Sequence, residues 1–97
     1  ARAMVGPGIH VVVEPFGDIW LRDTGPIVIK GRDGRWARSF RFNGWGGKYD
    51  LAGDDTVGLG LAKAAGLVAE RCDWILEGGA IDTDGAGTLL TTWRCLH

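Results

Sequence analysis

The sequence has few of the residues that mark disulfide-rich or metal-binding proteins. Its two cysteines, Cys72 and Cys95, match neither a C-x-x-C motif nor a zinc-binding spacing. We expect both to be buried free thiols, with a disulfide between them as the alternative. The formal net charge is only −1, so the composition gives no electrostatic reason to expect nucleic acid or an anionic membrane as a partner.

Long hydrophobic runs are also lacking. No stretch approaches the roughly 18 to 20 apolar residues that a membrane span requires. The start of the sequence shows no basic segment followed by an apolar block, so no export signal is visible. Together with free thiols, this favours a cytoplasmic protein. The length of 97 residues allows one small domain, spanning 1–97.

Glycine and tryptophan, by contrast, are abundant, with 17 and 5 residues. One tryptophan lies in the run 18–26 (D-I-W-L-R-D-T-G-P), which ends in a Gly-Pro turn. Aromatic faces stack on flat organic cations, and carboxylates accept their N–H groups in a fork. The run therefore predicts a site for a guanidinium or a related cation, with Trp20 and Asp23 as its walls.

The hydrophobic pattern predicts a buried strand at 9–14, with His10 as an ordinary strand residue, and two β-hairpins. In the second arm of the first hairpin, Trp36, Arg38, Phe40 and Phe42 share the face that we expect to be buried, although Arg38 interrupts it. Asp82 and Asp84 do not follow calcium-loop spacing, so we interpret their segment as a turn. The hairpins join 27–30 to 35–42 through the Asp-Gly turn at 31–34, and 80–83 to 88–92 through 84–87.

A helix is predicted between the two hairpins. Asp54 or Asp55 would cap its start, and Gly66 would follow its end near Ala65. Two internal glycines each cost such a helix about 1 kcal/mol relative to alanine, so packing must hold it in place. The expected inner face consists of Val57, Leu61, Ala64 and Ala65.

An internal repeat links the two hairpins. Asp23-Thr24-Gly25 precedes the first, and Glu77-Gly78-Gly79 precedes the second, at an offset of 77 − 23 = 54 residues. Ile27 and Ile81 are separated by the same offset. Repeating α/β units with an acidic residue at the same point suggest radial symmetry around a common centre. Because repeat folds need about three or more units, we expect this chain to be part of a larger protein.

Three ordered blocks resemble the agmatine deiminase family of the guanidine-modifying (pentein) superfamily. They are 18–26, 41–50 (R-F-N-G-W-G-G-K-Y-D) and 76–92, whose core is L-E-G-G-A-I-D-T-D-G-A-G-T. The resemblance implies an α/β fold, a five-bladed α/β propeller of which fewer than two repeats are present. It also implies hydrolysis of agmatine to N-carbamoylputrescine and ammonia, a step towards putrescine, with no metal or organic cofactor. A homo-oligomer is left open.

The resemblance also assigns roles to individual residues. Asp23 matches the carboxylate that grips the guanidinium, Trp20 the aromatic residue lining the same pocket, and Glu77 an acidic residue that lends electrostatic support. Asn43 and Trp45 belong to a glycine-rich loop at a strand end, where we expect them to enclose the aliphatic chain of the substrate. A purely conformational role for Gly46 and Gly47 is the alternative. For Asp18 we expect a structural role, pairing with Arg22 or capping its own turn.

The same family uses a general acid/base from a G-H-x-D block and a nucleophilic cysteine near its C-terminus. Neither block occurs in this sequence, and His10, His97, Cys72 and Cys95 lack the corresponding context. We therefore expect these 97 residues to bind the guanidinium without turning it over. Uncovered sheet edges would make them poorly soluble unless they associate.

Three other functions stay open from the sequence. A peptidylarginine-type deiminase would use the same chemistry, but Gly44 and Trp45 after Asn43 favour a substrate without a carboxylate. A guanidine- or polyamine-binding module without catalysis would need only the cation pocket. A hydrolase that uses Asp23 and Glu77 as a carboxylate pair is disfavoured, because a Trp-Arg-Asp cluster suits a cation better than a sugar.

Overall fold

Residues 2–96, which the computed structural model describes, form a mixed α/β arrangement; His97 lies outside this range. A three-stranded sheet is followed by a separate two-stranded hairpin. Short 3₁₀ turns at Arg2–Met4 and Gly78–Ala80 complete the regular structure. The elements are α1 (Leu21–Thr24), β1 (Ile27–Gly31), β2 (Gly34–Arg41), α2 (Gly44–Gly47), α3 (Val57–Ala64), β3 (Ala69–Ile75), β4 (Ile81–Thr83), β5 (Leu89–Thr91) and α4 (Trp93–Leu96).

The three-stranded sheet contains both kinds of strand pairing. β1 and β2 are antiparallel, and the opposed pair Gly31 and Gly34 leaves a two-residue turn, which confirms the first predicted hairpin. β2 and β3 are parallel, with α3 in the crossover between them. Strand β3 was not predicted from the sequence, since parallel pairing joins residues about 30 positions apart and has no local turn signal.

The buried face of β2 is the opposite of the predicted one, and of the four residues expected to be buried only Phe42, just beyond the end of the strand, is buried. Ala37 and Ser39 are fully buried, whereas Trp36 and Phe40 are only partly covered. Helix α3 lies against the small residues, because a Cβ added at Gly58 would come within 2.9 Å of the Ser39 hydroxyl oxygen. Phe40 packs on the other face, edge-on to Trp74 at 4.8 Å between ring centroids. Close approach of the helix therefore decided which face is buried.

The predicted caps of α3 are also wrong. Asp54 accepts hydrogen bonds from the backbone N–H groups of Gly17 and Asp18, at 2.7 and 3.1 Å, and Asp55 accepts one from Phe42 at 2.7 Å. Both carboxylates thus tie distant segments together, and α3 begins later, after Thr56. Its buried residues are Val57, Gly58 and Ala62, with Leu61 partly covered, whereas Ala64 and Ala65 are exposed. Gly66 follows the helix with φ +72°, as predicted.

The strand predicted at 9–14 does not form. This segment has no regular structure, and the side chain of Val13 is 86% exposed. A strand needs a neighbouring ladder to satisfy its backbone groups, and no strand among residues 2–96 pairs with this segment. Both cysteines are free, but the expected burial is wrong, because Cys72 is half-buried and Cys95 is exposed. Within residues 2–96 no helix is both long and apolar enough to cross a membrane.

The second hairpin agrees with its prediction. β4 and β5 pair antiparallel from Ile81 opposite Thr91 to Thr83 opposite Leu89. Each hairpin follows a single helical turn, α1 in the first case and Gly78–Ala80 in the second. The two hairpins begin at Ile27 and Ile81, so the 54-residue offset seen in the sequence is also an offset between strand starts.

Candidate functional site

The carboxylate of Asp23 lies where three distant segments meet. Asp23 belongs to the single turn α1 and is half-buried. Its Oδ2 accepts a hydrogen bond from the indole Nε1–H of Trp45 at 2.9 Å, and its Oδ1 accepts one from the backbone N–H of Gly79, also at 2.9 Å. The fold thus brings together one residue from each of the three blocks singled out in the sequence.

The two glycines after Glu77 make this junction possible. A Cβ at Gly78 would overlap the backbone oxygen of Arg22, and a Cβ at Gly79 would overlap Oδ1 of Asp23. Residues with side chains at either position would push the two segments apart. The E-G-G motif is therefore explained by close contact of the backbone with α1, which lets a main-chain N–H reach the carboxylate.

The loop that carries Trp45 has an uncommon backbone. Gly44–Gly47 form one helical turn in which all four φ angles are positive: 70°, 59°, 76° and 85°. The turn is closed by the Gly47 N–H, which donates to the Asn43 carbonyl oxygen at 2.9 Å. The side-chain oxygen of Asn43 accepts from the Gly46 N–H, also at 2.9 Å. The segment is thus a left-handed turn, capped by Asn43.

Two of the cavities that adjoin this loop are lined by Trp45. One, which we call the Asp23 cavity, has a volume of about 400 Å³. The other, the Glu77 cavity, has a volume of about 510 Å³. The Asp23 cavity is lined by Trp20, Asp23, Trp45, Lys48 and Tyr49. The Glu77 cavity is lined by Asn43, Trp45, Gly46, Ile75, Glu77, Arg94, Cys95 and Leu96.

All of the predicted site residues therefore lie in one region, divided between two cavities. Trp20 and Asp23 share the first, and Asn43 and Glu77 share the second. Trp20 is 57% exposed, so its ring is open to a ligand. Asp18 lies apart from both cavities; its Oδ1 accepts from the Ile19 N–H at 2.7 Å, which agrees with the structural role expected for it. Tyr49 and the Gly79 N–H were not predicted as site groups, although each lies within one of the three sequence blocks.

The arrangement suits a flat cation better than a metal ion. Within residues 2–96 there is no group of three His, Cys, Asp or Glu side chains placed to hold a metal. A carboxylate offers about four acceptor positions on its two oxygens. Trp45 and Gly79 occupy one on each oxygen, so each oxygen of Asp23 can still accept an N–H from a ligand. The exposed Trp20 ring next to it provides an aromatic face.

Known proteins are similar to this chain in sequence and in fold. A Vibrio parahaemolyticus protein that carries the provisional name agmatine deiminase is 42% identical over 102 residues, covering 99% of this chain and 28% of its own length. The structure of Enterococcus faecalis agmatine deiminase is 33% identical with a TM-score of 0.85, and the match covers 98% of this chain and 28% of that one. The C. jejuni agmatine deiminase with substrate bound is 40% identical with a TM-score of 0.73, over 81% of this chain and 24% of that one.

The chain thus spans about a quarter of the length of these relatives. The matches confirm the resemblance drawn from the three sequence blocks, and the mixed α/β architecture agrees with part of the pentein fold. The sequence model of the Porphyromonas-type peptidyl-arginine deiminases matches residues 1–97. Since this match extends over the whole chain, the chain belongs to that family.

Proposed function

We propose that the chain is the guanidinium-binding part of an agmatine deiminase, which hydrolyses agmatine to N-carbamoylputrescine and ammonia. The observation that carries this proposal is the Asp23 carboxylate, held by Trp45 and Gly79 beside the exposed Trp20 ring. The names of the E. faecalis and C. jejuni relatives support it. One domain spanning 1–97 and continuing into a five-bladed propeller would explain the 54-residue offset between the two hairpins.

The chemistry requires that a stable cation be made electrophilic. A guanidinium has a pKa above about 12, so it arrives protonated, with its charge spread over three nitrogens. A carboxylate that accepts two N–H bonds from one edge holds the group in a single orientation. It also draws positive charge towards that edge. Asp23 would do this while the ring of Trp20 stacks on the guanidinium face.

The remaining steps need groups from the other part of such an enzyme. A cysteine thiolate would add to the guanidinium carbon, and ammonia would leave after protonation, giving an S-alkylthiouronium. Water would then add to the same carbon and release the thiolate with N-carbamoylputrescine. The substrate-bound C. jejuni structure is a cysteine-to-serine variant, which agrees with a cysteine nucleophile. Glu77 lines the neighbouring cavity, which shares Trp45 with the Asp23 cavity, and its charge would favour the cationic intermediate.

Replacing Asp23 in the full-length enzyme tests the proposal. Asp23→Asn keeps the shape but removes the charge, and its amide nitrogen would face one of the two N–H donors. We expect kcat/KM for agmatine to fall roughly 100-fold, about 3 kcal/mol of lost stabilisation. Ammonia release measures the effect. Asp33→Asn, in the exposed β1–β2 turn, is the matched control and should retain full activity.

A peptidylarginine-type deiminase is the second candidate. The description of the matching family and the presence of Lys48 in the Asp23 cavity favour it, since an ammonium there could pair with a substrate carboxylate. The same assay with a peptide ending in arginine separates the two. Near-normal agmatine turnover by Asp23→Asn would contradict the role of Asp23. A preference for the peptide would leave the role of Asp23 as proposed and change only the substrate that we assign to the enzyme.

A further inference from the structure

Trp45 is the residue with the least favourable backbone conformation in the described part of the chain. Among residues 2–96 it is the one residue other than glycine with a positive φ, at 59° with ψ 58°. The left-handed helical conformation is unfavourable for an L-residue because its Cβ comes too close to the following carbonyl oxygen, and glycine avoids this cost. Because the other residues of the turn are Gly44, Gly46 and Gly47, only Trp45 bears the conformational cost of a positive φ. Strain of this kind is concentrated at functional sites.

In this conformation the indole of Trp45 packs between neighbouring aromatic rings. The Trp45 ring lies edge-on to Phe42, at 4.9 Å and 90°, and edge-on to Tyr49, at 5.9 Å and 89°. Gly44 is pressed against the backbone of Tyr49, since an added Cβ would overlap the Tyr49 carbonyl oxygen. The ring thus has neighbours on two sides and directs its N–H at Oδ2 of Asp23.

We propose that Trp45 is a positioning residue that acts on the substrate through Asp23, in addition to lining the cavities. This inference rests on the proposed guanidinium site. α1 is a single turn, and its few backbone hydrogen bonds fix the main chain without fixing the plane of the Asp23 carboxylate. The indole N–H holds Oδ2 and the Gly79 N–H holds Oδ1, so the plane of the carboxylate is set before substrate arrives. Such pre-organisation lowers the entropy lost on binding.

Charged and titratable groups surround Asp23 on several sides, so the test must isolate the indole N–H. Lys48 and Tyr49 line the same cavity, Arg22 precedes Asp23 in α1, and Glu77 lines the neighbouring cavity together with Trp45. Trp45→Phe removes the N–H and retains an aromatic ring. Trp20→Phe is its matched partner, because Trp20 lines the same cavity and makes no hydrogen bond to Asp23 through its indole.

The first experiment compares these variants in the full-length enzyme. A hydrogen bond to a charged group is worth about 1.5–3 kcal/mol, so kcat/KM of Trp45→Phe should fall roughly ten- to hundredfold. In tryptophan-¹⁵N-labelled protein, the Trp45 indole resonance is identified as the one that disappears in Trp45→Phe. Its chemical shift should change in Asp23→Asn. It should stay in place in Trp20→Phe. A merely structural role of the ring would not produce this response.

A second pair of variants tests the turn without altering the indole. Gly47 has φ +85° and open space around its Cα, and asparagine tolerates this conformation better than valine does. Gly47→Val should reduce kcat/KM and shift the Trp45 indole resonance, whereas Gly47→Asn should do so less. Equal kcat/KM for Trp45→Phe and wild type, or an indole resonance that ignores Asp23→Asn, would overturn the inference. If the enzyme hydrolyses no guanidine but the resonance still responds, the proposed function is wrong and the positioning of Asp23 is supported.

Discussion

The two hairpins start at equivalent points and end in different environments. β1 and β2 belong to a three-stranded sheet whose residues Ala37 and Ser39 are fully buried. β4 and β5 form a sheet of two strands, and all three residues of β5 are exposed, Leu90 by 66%. The first hairpin is followed by α3 and β3, which cover it; within residues 2–96 the second has no such partners. Local sequence thus specifies a hairpin, but the elements that follow decide whether it is buried.

The candidate site depends on the second region only through its beginning. Gly78–Ala80 contact α1, and the Gly79 N–H reaches Asp23, whereas β4 and β5 themselves contribute no residue to either cavity. The junction between the repeats, more than the repeats themselves, therefore orients the Asp23 carboxylate. The comparison can be tested by altering first the junction at Gly78, then one carboxylate in each hairpin region, and last the turn of the second hairpin.

The largest effect is expected from Gly78→Ala, which breaks the junction. The added methyl group would overlap the backbone oxygen of Arg22, so the two segments must separate and the Gly79–Asp23 bond must lengthen. Overpacking of this kind costs about 1–3 kcal/mol, and we expect the upper half of that range. Urea unfolding of the full-length protein measures it. Gly8→Ala, where nothing lies within 4 Å, is the control; equal losses at both positions would show that the junction is not close-packed.

A smaller effect is expected from Asp55→Ala, which acts on the first hairpin alone. The Asp55 carboxylate accepts from the Phe42 N–H at the end of β2 and pairs with Arg71 of β3 at 2.8 Å. Because this carboxylate is partly exposed, the ion pair adds little, and the loss should be about 1–2 kcal/mol.

Asp82→Ala in β4 provides the comparison with the second hairpin. The Asp82 carboxylate accepts only a local bond, from the Thr83 N–H. Its replacement should change the free energy of unfolding by less than about 0.5 kcal/mol. Equal losses for Asp55→Ala and Asp82→Ala would mean that the two hairpins are held alike, contrary to the comparison.

Features that depend on neighbouring residues could be predicted from the sequence. The turn between β1 and β2 follows from the Asp33-Gly34 pair, because it uses only local backbone preferences. The sequence also predicted that one site contains Asp23, Trp20 and Trp45. Aromatic and acidic residues recur beside glycine-rich turns, and the family resemblance assigned these three residues to the same substrate pocket. The 54-residue offset between the two hairpins could be predicted as well, because each hairpin start is marked by an acidic residue and glycine close by in the sequence.

Features that depend on distant partners could not be predicted. Residues 69–75 alternate weakly between polar and apolar types, and they form a strand because β2 offers a parallel edge. Asp54 and Asp55 have the chemistry of helix caps, and the same oxygens serve equally well for backbone N–H groups far along the chain. The left-handed turn at Trp45 was missed because three glycines permit many conformations, and Asp23 and Tyr49 select this one.

The smallest effect is expected in the turn of the second hairpin, at Asp84. Its Oδ1 accepts from the backbone N–H groups of Ala86 and Thr88, at 2.7 and 3.1 Å, and these bonds hold the pKa of the carboxyl below its ordinary value of 3.8. Since the pKa is lower in the folded than in the unfolded protein, the contribution to stability is present above the unfolded pKa. It is lost as the pH falls through the folded pKa.

A ¹³C NMR titration of the carboxyl carbon tests this, with Asp84→Asn to identify the resonance and urea-unfolded protein as the reference. We expect the folded midpoint to lie below the unfolded one, and the stability difference between wild type and Asp84→Asn to shrink as the pH falls through that midpoint. Equal midpoints would show that the loop is not held by its carboxylate. In the first hairpin a two-residue turn closes the strands through backbone pairing of Gly31 with Gly34, so side-chain ionisation there is not required for closure. Both hairpins are thus closed by backbone pairing, and the turn of the second one has in addition a carboxylate that accepts backbone N–H groups.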